Sequence, residues 1–297
     1  MEFLDCKKQA HKMIQQLKQA TQATTQLTGK KPSLLIVLAS HDDASRVYTK
    51  RKIKIGEEVG MQVDLLKIES RVTQEDLETQ IKDVLPQYDG VIFQLPMFDH
   101  LEPDRLIQLL SVNQDVDGLK PESLGLLCSS VSGNRHVAAT ALGVEKLLYD
   151  NQIDLEGKLV VVLGRSDLFG KPMQGVVQNM NGTLVCLNSH TPKRLAQSLC
   201  QQAQVVISAT GQPLSIDSSY ISDETVLIDV GITLGEDGKL KGDFDLEEIR
   251  AKRQAILATK TPNGTGQLTV PSLLENVFSA FCYNQHLIKE DYWSSDI

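Results

Sequence analysis

The stretch "VVVLGRSDLFGKPM", residues 160–173, joins an apolar run to a glycine-bearing turn and a helix start. Gly164 ends the run where the backbone must turn sharply, Gly170 follows six residues on, and Pro172 suits a first helical turn. This arrangement aims backbone N–H groups and a helix N-terminus at an anion. It is a relative of the dinucleotide fingerprint G-x-G-x-x-G, with Ser166 in place of the middle glycine.

On both sides of this stretch, apolar strand-like runs alternate with helix-like segments. "TLVCLNS" (183–189), "AQVVISAT" (203–210) and "TVLIDVG" (225–231) follow it, with a helix from Pro192 between the first two. Earlier come "PSLLIVLAS" (32–40), "MQVDLLKIE" (61–69) and "GVIFQLP" (90–96), interleaved with helices, one of which Thr73 is placed to cap. Short, near-continuous apolar strands separated by helices predict an α/β protein with parallel sheets covered on both faces.

At 297 residues, two domains are the default. The boundary falls in the helix-like segment 139–157, which gives a first domain of residues 1–142 and a Rossmann-like domain of residues 143–268. The apolar segment 269–288 reads as one amphipathic helix that completes the first domain, and 289–297 as a tail.

A net charge of −8 with 23% charged residues argues against a general binder of nucleic acid or anionic membranes, and leaves room for a local basic pocket. No signal peptide and no membrane-length apolar run is visible. Five scattered cysteines suit a reducing cytoplasm, and neither they nor the six isolated histidines form a metal-ligand pattern.

Cofactor choice follows from the end of the second strand of the later half. An NAD site usually places an acid there for the ribose 2′-hydroxyl. "TLVCLNSHT" offers Asn188, Ser189, His190 and Thr191 instead, while Arg165 sits in the glycine turn. An arginine with hydroxyls and no acid favours a 2′-phosphate, hence NADP. The competing expectation pairs Arg165 with Asp167 at the surface.

The first half carries "SRVYTKRKIK" (45–54). At about 100° per residue, Ser45, Tyr48, Lys52, Ile55 and Val59 share one arc, with Lys50 and Lys54 opposite. Lys52 is thereby an inward lysine, either snorkelling past the core rim or held at a lowered pKa for proton chemistry. Gln94 ends a buried strand, where open α/β sheets bind ligands, and Asp115 and Asp117 lie in an Asp-Gly turn. Tyr48 and Lys52 also form the Y-x-x-x-K of short-chain dehydrogenases, but there the glycine fingerprint precedes it within one domain, whereas here the order is reversed.

Taken in order, "SRVYTKRKIK", "QLPM", "DVDGLKPESLGLL", "GRSDLFGKPM", "VVISATGQP", "VLIDVGI" and "GTGQLTVPSLL" resemble the bifunctional methylenetetrahydrofolate dehydrogenase/methenyltetrahydrofolate cyclohydrolase family over nearly the whole chain. The resemblance implies NADP-dependent oxidation of 5,10-methylenetetrahydrofolate and hydrolysis of the product to 10-formyltetrahydrofolate, in a cleft between two domains of a homodimeric protein. It makes Lys52 the main catalytic residue for hydrolysis. Tyr48 would stack on the folate, Gln94 would tune Lys52, and Asp117 would bind the pterin edge. Ser45 would fix the helical turn bearing Tyr48. Leu95, Pro96, Pro262 and Gly264 would complete the substrate site. Gly164, Arg165, Ser166, Gly170, Pro172, Ser189, Thr210, Gly211, Gly231, Ile232, Gly266 and Thr269 would hold NADP.

Three stretches depart from the family pattern. Pro-Cys-Thr-Pro-x-Gly before the interdomain helix is "AATALG" (138–143); Pro-Gly-Gly-Val-Gly-Pro-Met-Thr is "PNGTGQLT" (262–269); and a histidine before the 2′-phosphate serine is Asn188. Two other readings stay open at this level: another two-domain NADP dehydrogenase with Lys52 as proton donor, and a drifted relative that binds folate or nucleotide with little catalysis.

Overall fold

The computed structural model describes residues 1–129, 136–235 and 238–288; the expected tail, 289–297, lies outside the described residues. In chain order the elements are β1 (Glu2–Phe3), α1 (Cys6–Thr28), β2 (Ser33–Leu38), α2 (Asp43–Glu58), β3 (Gln62–Lys67), α3 (Gln74–Val84), β4 (Gly90–Phe93), α4 (Pro103–Leu109), α5 (Pro121–Leu127), α6 (Ala139–Asp150) and β5 (Leu159–Leu163). Then follow α7 (Gly170–Asn179), β6 (Thr183–Leu187), α8 (Lys193–Gln202), β7 (Val205–Ser208), β8 (Val226–Asp229), β9 (Thr233–Leu234), β10 (Leu240–Lys241), α9 (Leu246–Lys252), β11 (Leu257–Ala258) and α10 (Thr269–Asn284). The chain divides into two compact units, one formed by residues 11–139 with those from 270 on, the other by residues 1–10 and 140–269.

In the first of these, β2 lies between β3 and β4, all parallel. All six residues of β2 are buried, as expected of a strand covered on both faces. Leu34, Ile36 and Ile92 pack with Leu273, Leu274, Val277 and Phe281 of α10. Leu35, Val37 and Phe93 face the other way, into Leu77, Ile81 and Leu106. Thr73 caps α3 as its position predicts, accepting from the backbone N–H of Asp76. Asp42 caps α2 in the same way, through the backbone N–H of Ser45 at 2.6 Å.

The other unit is a six-stranded parallel sheet ordered β1-β11-β8-β7-β5-β6. Its register sets Leu163 opposite both Leu187 and Ser208, and Ser208 opposite Asp229. Four strands therefore end level, and the residues after each one emerge at the same carboxyl edge, where open α/β sheets bind ligands. Residues 1–10 depart from their expected place in a domain spanning 1–142. Two residues of β1 pair with β11 and extend the larger sheet, a pairing too short to leave any periodicity in the sequence.

Candidate active site

The amine of Lys52 donates to Oε1 of Gln94 at 2.9 Å, and Nε2 of Gln94 donates to the Leu95 carbonyl at 2.9 Å. Oγ of Ser45 donates to the same carbonyl at 3.3 Å. Ser45 thus also ties α2 to the Gln-Leu-Pro loop. The bond to Leu95 fixes which end of the Gln94 amide meets the lysine, leaving its oxygen as the acceptor. Leu95 is half-buried, Pro96 is exposed, and the peptide bond between them is cis.

The arc of α2 is placed by its small residues. Ser45, Thr49 and Gly56 are buried, and a Cβ on Gly56 would lie 2.4 Å from a Val63 methyl. That close approach of α2 to β3 draws the half-buried Lys52 inward, while Lys50 and Lys54 remain exposed. Tyr48, one step off the buried face, is 47% exposed, so its ring face is open to a ligand. Burial pushes the Lys52 amine below the ordinary lysine range, and the charge of Asp117 pulls it back up.

The two aspartates of the Asp-Val-Asp-Gly turn have separate jobs. Asp115 is 2% exposed and accepts from the backbone N–H groups of Leu119 and Lys120 and from the Ser123 hydroxyl, at 3.0, 2.8 and 2.5 Å. It builds the turn. Asp117 is half-buried, with a carboxylate that makes no hydrogen bond or ion pair among the described residues. Gly118 follows at φ +68°, where a Cβ would lie 2.7 Å from the Ala138 nitrogen. Asn276, on the buried face of α10, donates to the carbonyls of Val116 and Val137, each at 2.8 Å, and so holds the turn from behind. Sequence reasoning missed Asn276, although an amide among Leu273, Leu274, Val277 and Phe278 was its signal.

In the other unit, a cavity of ≈ 580 Å³ at the carboxyl edge of the sheet is lined by Gly164, Arg165, Ser166, Ser189 and Thr210 among the expected residues, and by Asn188, Thr191 and Lys193 besides. No carboxylate lines it. Asp167 forms its ion pair with Lys171 instead, so the expected alternative, an Arg165–Asp167 pair, is not what the structure holds. Lys193 opens α8 and, like Arg165, makes no ion pair among the described residues. A cation at a helix N-terminus opposes the helix dipole, an arrangement that an anion in the cavity would offset. Asn188, in the place of the family's histidine, accepts from the backbone N–H of His190 at 3.0 Å and shapes the turn that presents Ser189.

Gly164 and Gly170 allow the tight strand-to-helix turn. A Cβ on Gly170 would meet the Gly164 carbonyl at 2.4 Å, and one on Gly164, at φ +125°, would meet the Ala209 carbonyl at 2.7 Å. A basic, hydroxyl-rich, acid-free cavity above such a turn fits a dinucleotide carrying a 2′-phosphate. Pro172 is buried in the first turn of α7 and does not line this cavity. Gly211, Gly231, Ile232 and Gly266, in this unit's other loops, and Thr269, at the start of α10, also lie off its lining. In the altered "PNGTGQLT" loop, Asn263 takes φ 70° and so supplies a glycine-like conformation. Pro262 is exposed and Gly264 half-buried; a Cβ on Gly264 would lie 2.3 Å from the Lys260 carbonyl. Thr269 shares a hydrogen bond with Thr140 at 3.2 Å.

Residues 4–117 match the family model described as the tetrahydrofolate dehydrogenase/cyclohydrolase catalytic domain, and 138–285 match its NAD(P)-binding domain. A bifunctional protein FolD from Halothermothrix orenii is 34% identical over 287 residues, covering 95% of this chain and 98% of the relative. The solved FolD methylenetetrahydrofolate dehydrogenase/cyclohydrolase of Campylobacter jejuni superposes with a TM-score of 0.89 at 31% identity, covering 95% of this chain and 99% of that one. The Trypanosoma brucei dehydrogenase-cyclohydrolase, solved with NADP cofactor and inhibitor, gives a TM-score of 0.87 at 27% identity, with 95% and 98% covered. The chain belongs to the tetrahydrofolate dehydrogenase/cyclohydrolase family.

Proposed function

We propose that this protein oxidises 5,10-methylenetetrahydrofolate with NADP and hydrolyses the resulting methenyl compound to 10-formyltetrahydrofolate. The observation that carries the reading is the Lys52–Gln94 pair, its amine lowered by burial, beside the free carboxylate of Asp117. Hydrolysis needs a group that takes a proton from attacking water and returns one to the leaving ring nitrogen. An amine displaced toward neutrality does both, and Gln94 keeps it oriented between the two transfers. Asp117 accepts from the amino and ring N–H groups of the pterin, for which an unpaired carboxylate is suited. Tyr48 supplies an exposed aromatic face for the folate.

Bound NADP supplies the hydride acceptor for the first step. Arg165, Lys193, Ser166, Ser189 and Thr191 would hold its 2′-phosphate side, and the turn at Gly164 its phosphates. The protein's part in that step is positioning of the two reacting rings. Substrate contacts of Leu95, Pro96, Pro262 and Gly264, and cofactor contacts of Gly211, Gly231, Ile232, Gly266 and Thr269, belong to the same proposal. So do a homodimer formed through the nucleotide-binding unit and a cytoplasmic location. The latter is consistent with five free cysteines, and no described helix is long and apolar enough to cross a membrane.

The test mixes the protein with 5,10-methylenetetrahydrofolate and either NADP or NAD, following reduced nucleotide and methenyl-folate separately. NADPH formation without methenyl accumulation is the expected result. Hydrolysis of supplied methenyl-folate with no reduced nucleotide from either cofactor would remove the dehydrogenase half of the proposal. Silence in both assays would remove all of it.

A further inference from the structure

Asp229 and Asp243 are 2% and 0% exposed, and the chemistry proposed above uses neither. They meet beside the turns that carry Thr210 and Gly231, both expected to hold the cofactor. One oxygen of Asp243 accepts from the Ser208 hydroxyl and from the backbone N–H of Thr210, both at 2.7 Å, and so fixes the turn after β7. The Asp229 carboxylate accepts from the backbone N–H groups of Asp243 at 3.1 Å and Phe244 at 3.2 Å. Its backbone N–H donates to the Thr259 hydroxyl at 2.7 Å, and its carbonyl accepts from Thr265, in the altered glycine loop, at 2.8 Å. The carboxyl pair therefore holds the turn after β7, through Thr210, and the turn after β8, through the backbone N–H of Gly231, while the main chain of Asp229 holds the loop before α10.

The packing leaves the pair no slack. A Cβ on Gly231 would lie 2.1 Å from Oδ1 of Asp243, and one on Gly242 would lie 2.0 Å from Oδ2 of Asp229. Oδ1 of Asp243 is buried without a hydrogen-bond partner. An ionised carboxylate oxygen in that state is costly, and two ionised carboxylates in one dry pocket are costlier. A single proton held between them would satisfy the orphaned oxygen and remove the repulsion, as in other carboxyl pairs that share one site.

We propose that Asp229 carries a proton at neutral pH and donates it to the orphaned Oδ1 of Asp243, and that this proton holds the Thr210 and Gly231 turns in the form that binds the cofactor. The inference rests on the NADP reading of this unit. Burial, with the charge of Asp243 adding to it, pushes Asp229 up to about 7 against the opposing pull of the backbone N–H groups. Asp243 is the charged group acting on it; β7 contributes Ser208, β11 is followed by Thr259, and the loop before α10 contributes Thr265, all neutral. Lys260, next in the chain to Thr259, is exposed and sits 5.8 Å from the Phe3 ring centroid.

The sign is that of an acid: raising the pH through about 7 removes this proton and weakens cofactor binding. A 2′-phosphate has its second pKa near ~6, so above neutrality its charge is constant and does not confound the effect. NADP affinity is measured by equilibrium titration from pH 6.5 to 8.5, with 2′,5′-ADP, which lacks the nicotinamide half, as the control. Infrared difference spectroscopy of the free protein looks for the carbonyl stretch of a buried carboxylic acid over the same range. The expected result is a several-fold fall in NADP affinity, a smaller fall for 2′,5′-ADP, and an acid band that disappears in step. Asp229→Asn, which mimics the protonated form, should bind NADP with a flattened profile and lack the band.

A wild-type protein without the band near neutral pH, or an Asp229→Asn variant with the wild-type profile, would overturn the inference. The band needs no variant, so it decides even where Asp229→Asn fails to fold. If NADP fails to bind at every pH, the cofactor reading has failed, and the band still decides the Asp229 proton.

Discussion

The Lys52 site and the nucleotide cavity are built on opposite electrostatic plans. Around Lys52 the key groups are already joined to one another: amine to amide, amide to the Leu95 carbonyl, hydroxyl to the same carbonyl. Around Gly164 the key cations, Arg165 and Lys193, have no ion-pair partner among the described residues, and no carboxylate lines the cavity. A site that must move protons keeps its groups aligned and one pKa displaced; a site that must grip an anion keeps its donors unspent. The difference lets each be broken without the other.

The largest expected effect is at Lys52. Lys52→Met removes the proton-handling group and should lower methenyl-folate hydrolysis by about 10²–10⁴-fold, read from the decay of supplied substrate. Titrated NADP affinity should be unchanged, and thermal stability equal or higher, because a desolvated amine is replaced by an apolar chain of similar length. A parallel loss of NADP binding would break the separation of the two plans.

Arg165→Ala and Lys193→Ala come next. Each removes one charge-assisted contact, worth about 1.5–3 kcal/mol, so NADP affinity should fall by roughly 10- to 100-fold while NAD affinity changes little. Equal losses for both cofactors would move these side chains away from the 2′-phosphate. Raised salt should weaken NADP binding by wild type more than by either variant.

Asp117→Asn tests the charge that acts on Lys52 among the described residues. Asp117 raises the lysine's pKa, so its neutralisation should lower that pKa further and move the hydrolysis profile toward acid, alongside an increased KM for folate. A profile that stays in place would show that Asp117 acts on substrate alone.

The smallest effect concerns stability. A folded pKa of about 7 at Asp229 lies above the ordinary carboxylate value of 3.8. Its contribution is thus fully present below that ordinary value and lost as pH rises through about 7. Asp229→Asn should raise the melting temperature at pH 8 by a few degrees, on the order of ΔΔG/ΔS for one to two kcal/mol, and leave it nearly unchanged at pH 5.

What the sequence disclosed follows the range of the interactions. The largely buried strands were visible as apolar runs: 32–40 contains β2, 158–164 contains β5 and 225–231 contains β8. The cap at Thr73 acts over three residues, and such a local bond leaves a local signature. The two-residue strands β1, β9, β10 and β11 have too few positions to show a period. Lys193 was hidden for a different reason. Only the turn after β6 brings the first residue of α8 to the Gly164 cavity, and nothing in "TPKRLAQ" separates that lysine from its exposed neighbour Arg194.

The same distinction holds at the Lys52 site. Helical spacing pointed Ser45, Tyr48 and Lys52 to one side, yet the Ser45 bond to Leu95 spans fifty residues of chain and could not be read from spacing. Asn276 reaches 160 residues back to the Val116 carbonyl. Asp229 was visible as a strand residue, but its partner Asp243 lies beyond a hairpin, and only the packing of Gly231 and Gly242 brings the two together.

The pH dependence of methenyl-folate hydrolysis by the wild-type protein tests the central claim most directly. If a desolvated Lys52 manages the protons, the rate rises with pH along a limb below the ordinary lysine range, and Lys52→Met removes that limb. A profile that tracks only uncatalysed hydroxide attack, or a limb that survives in Lys52→Met, would contradict the assignment.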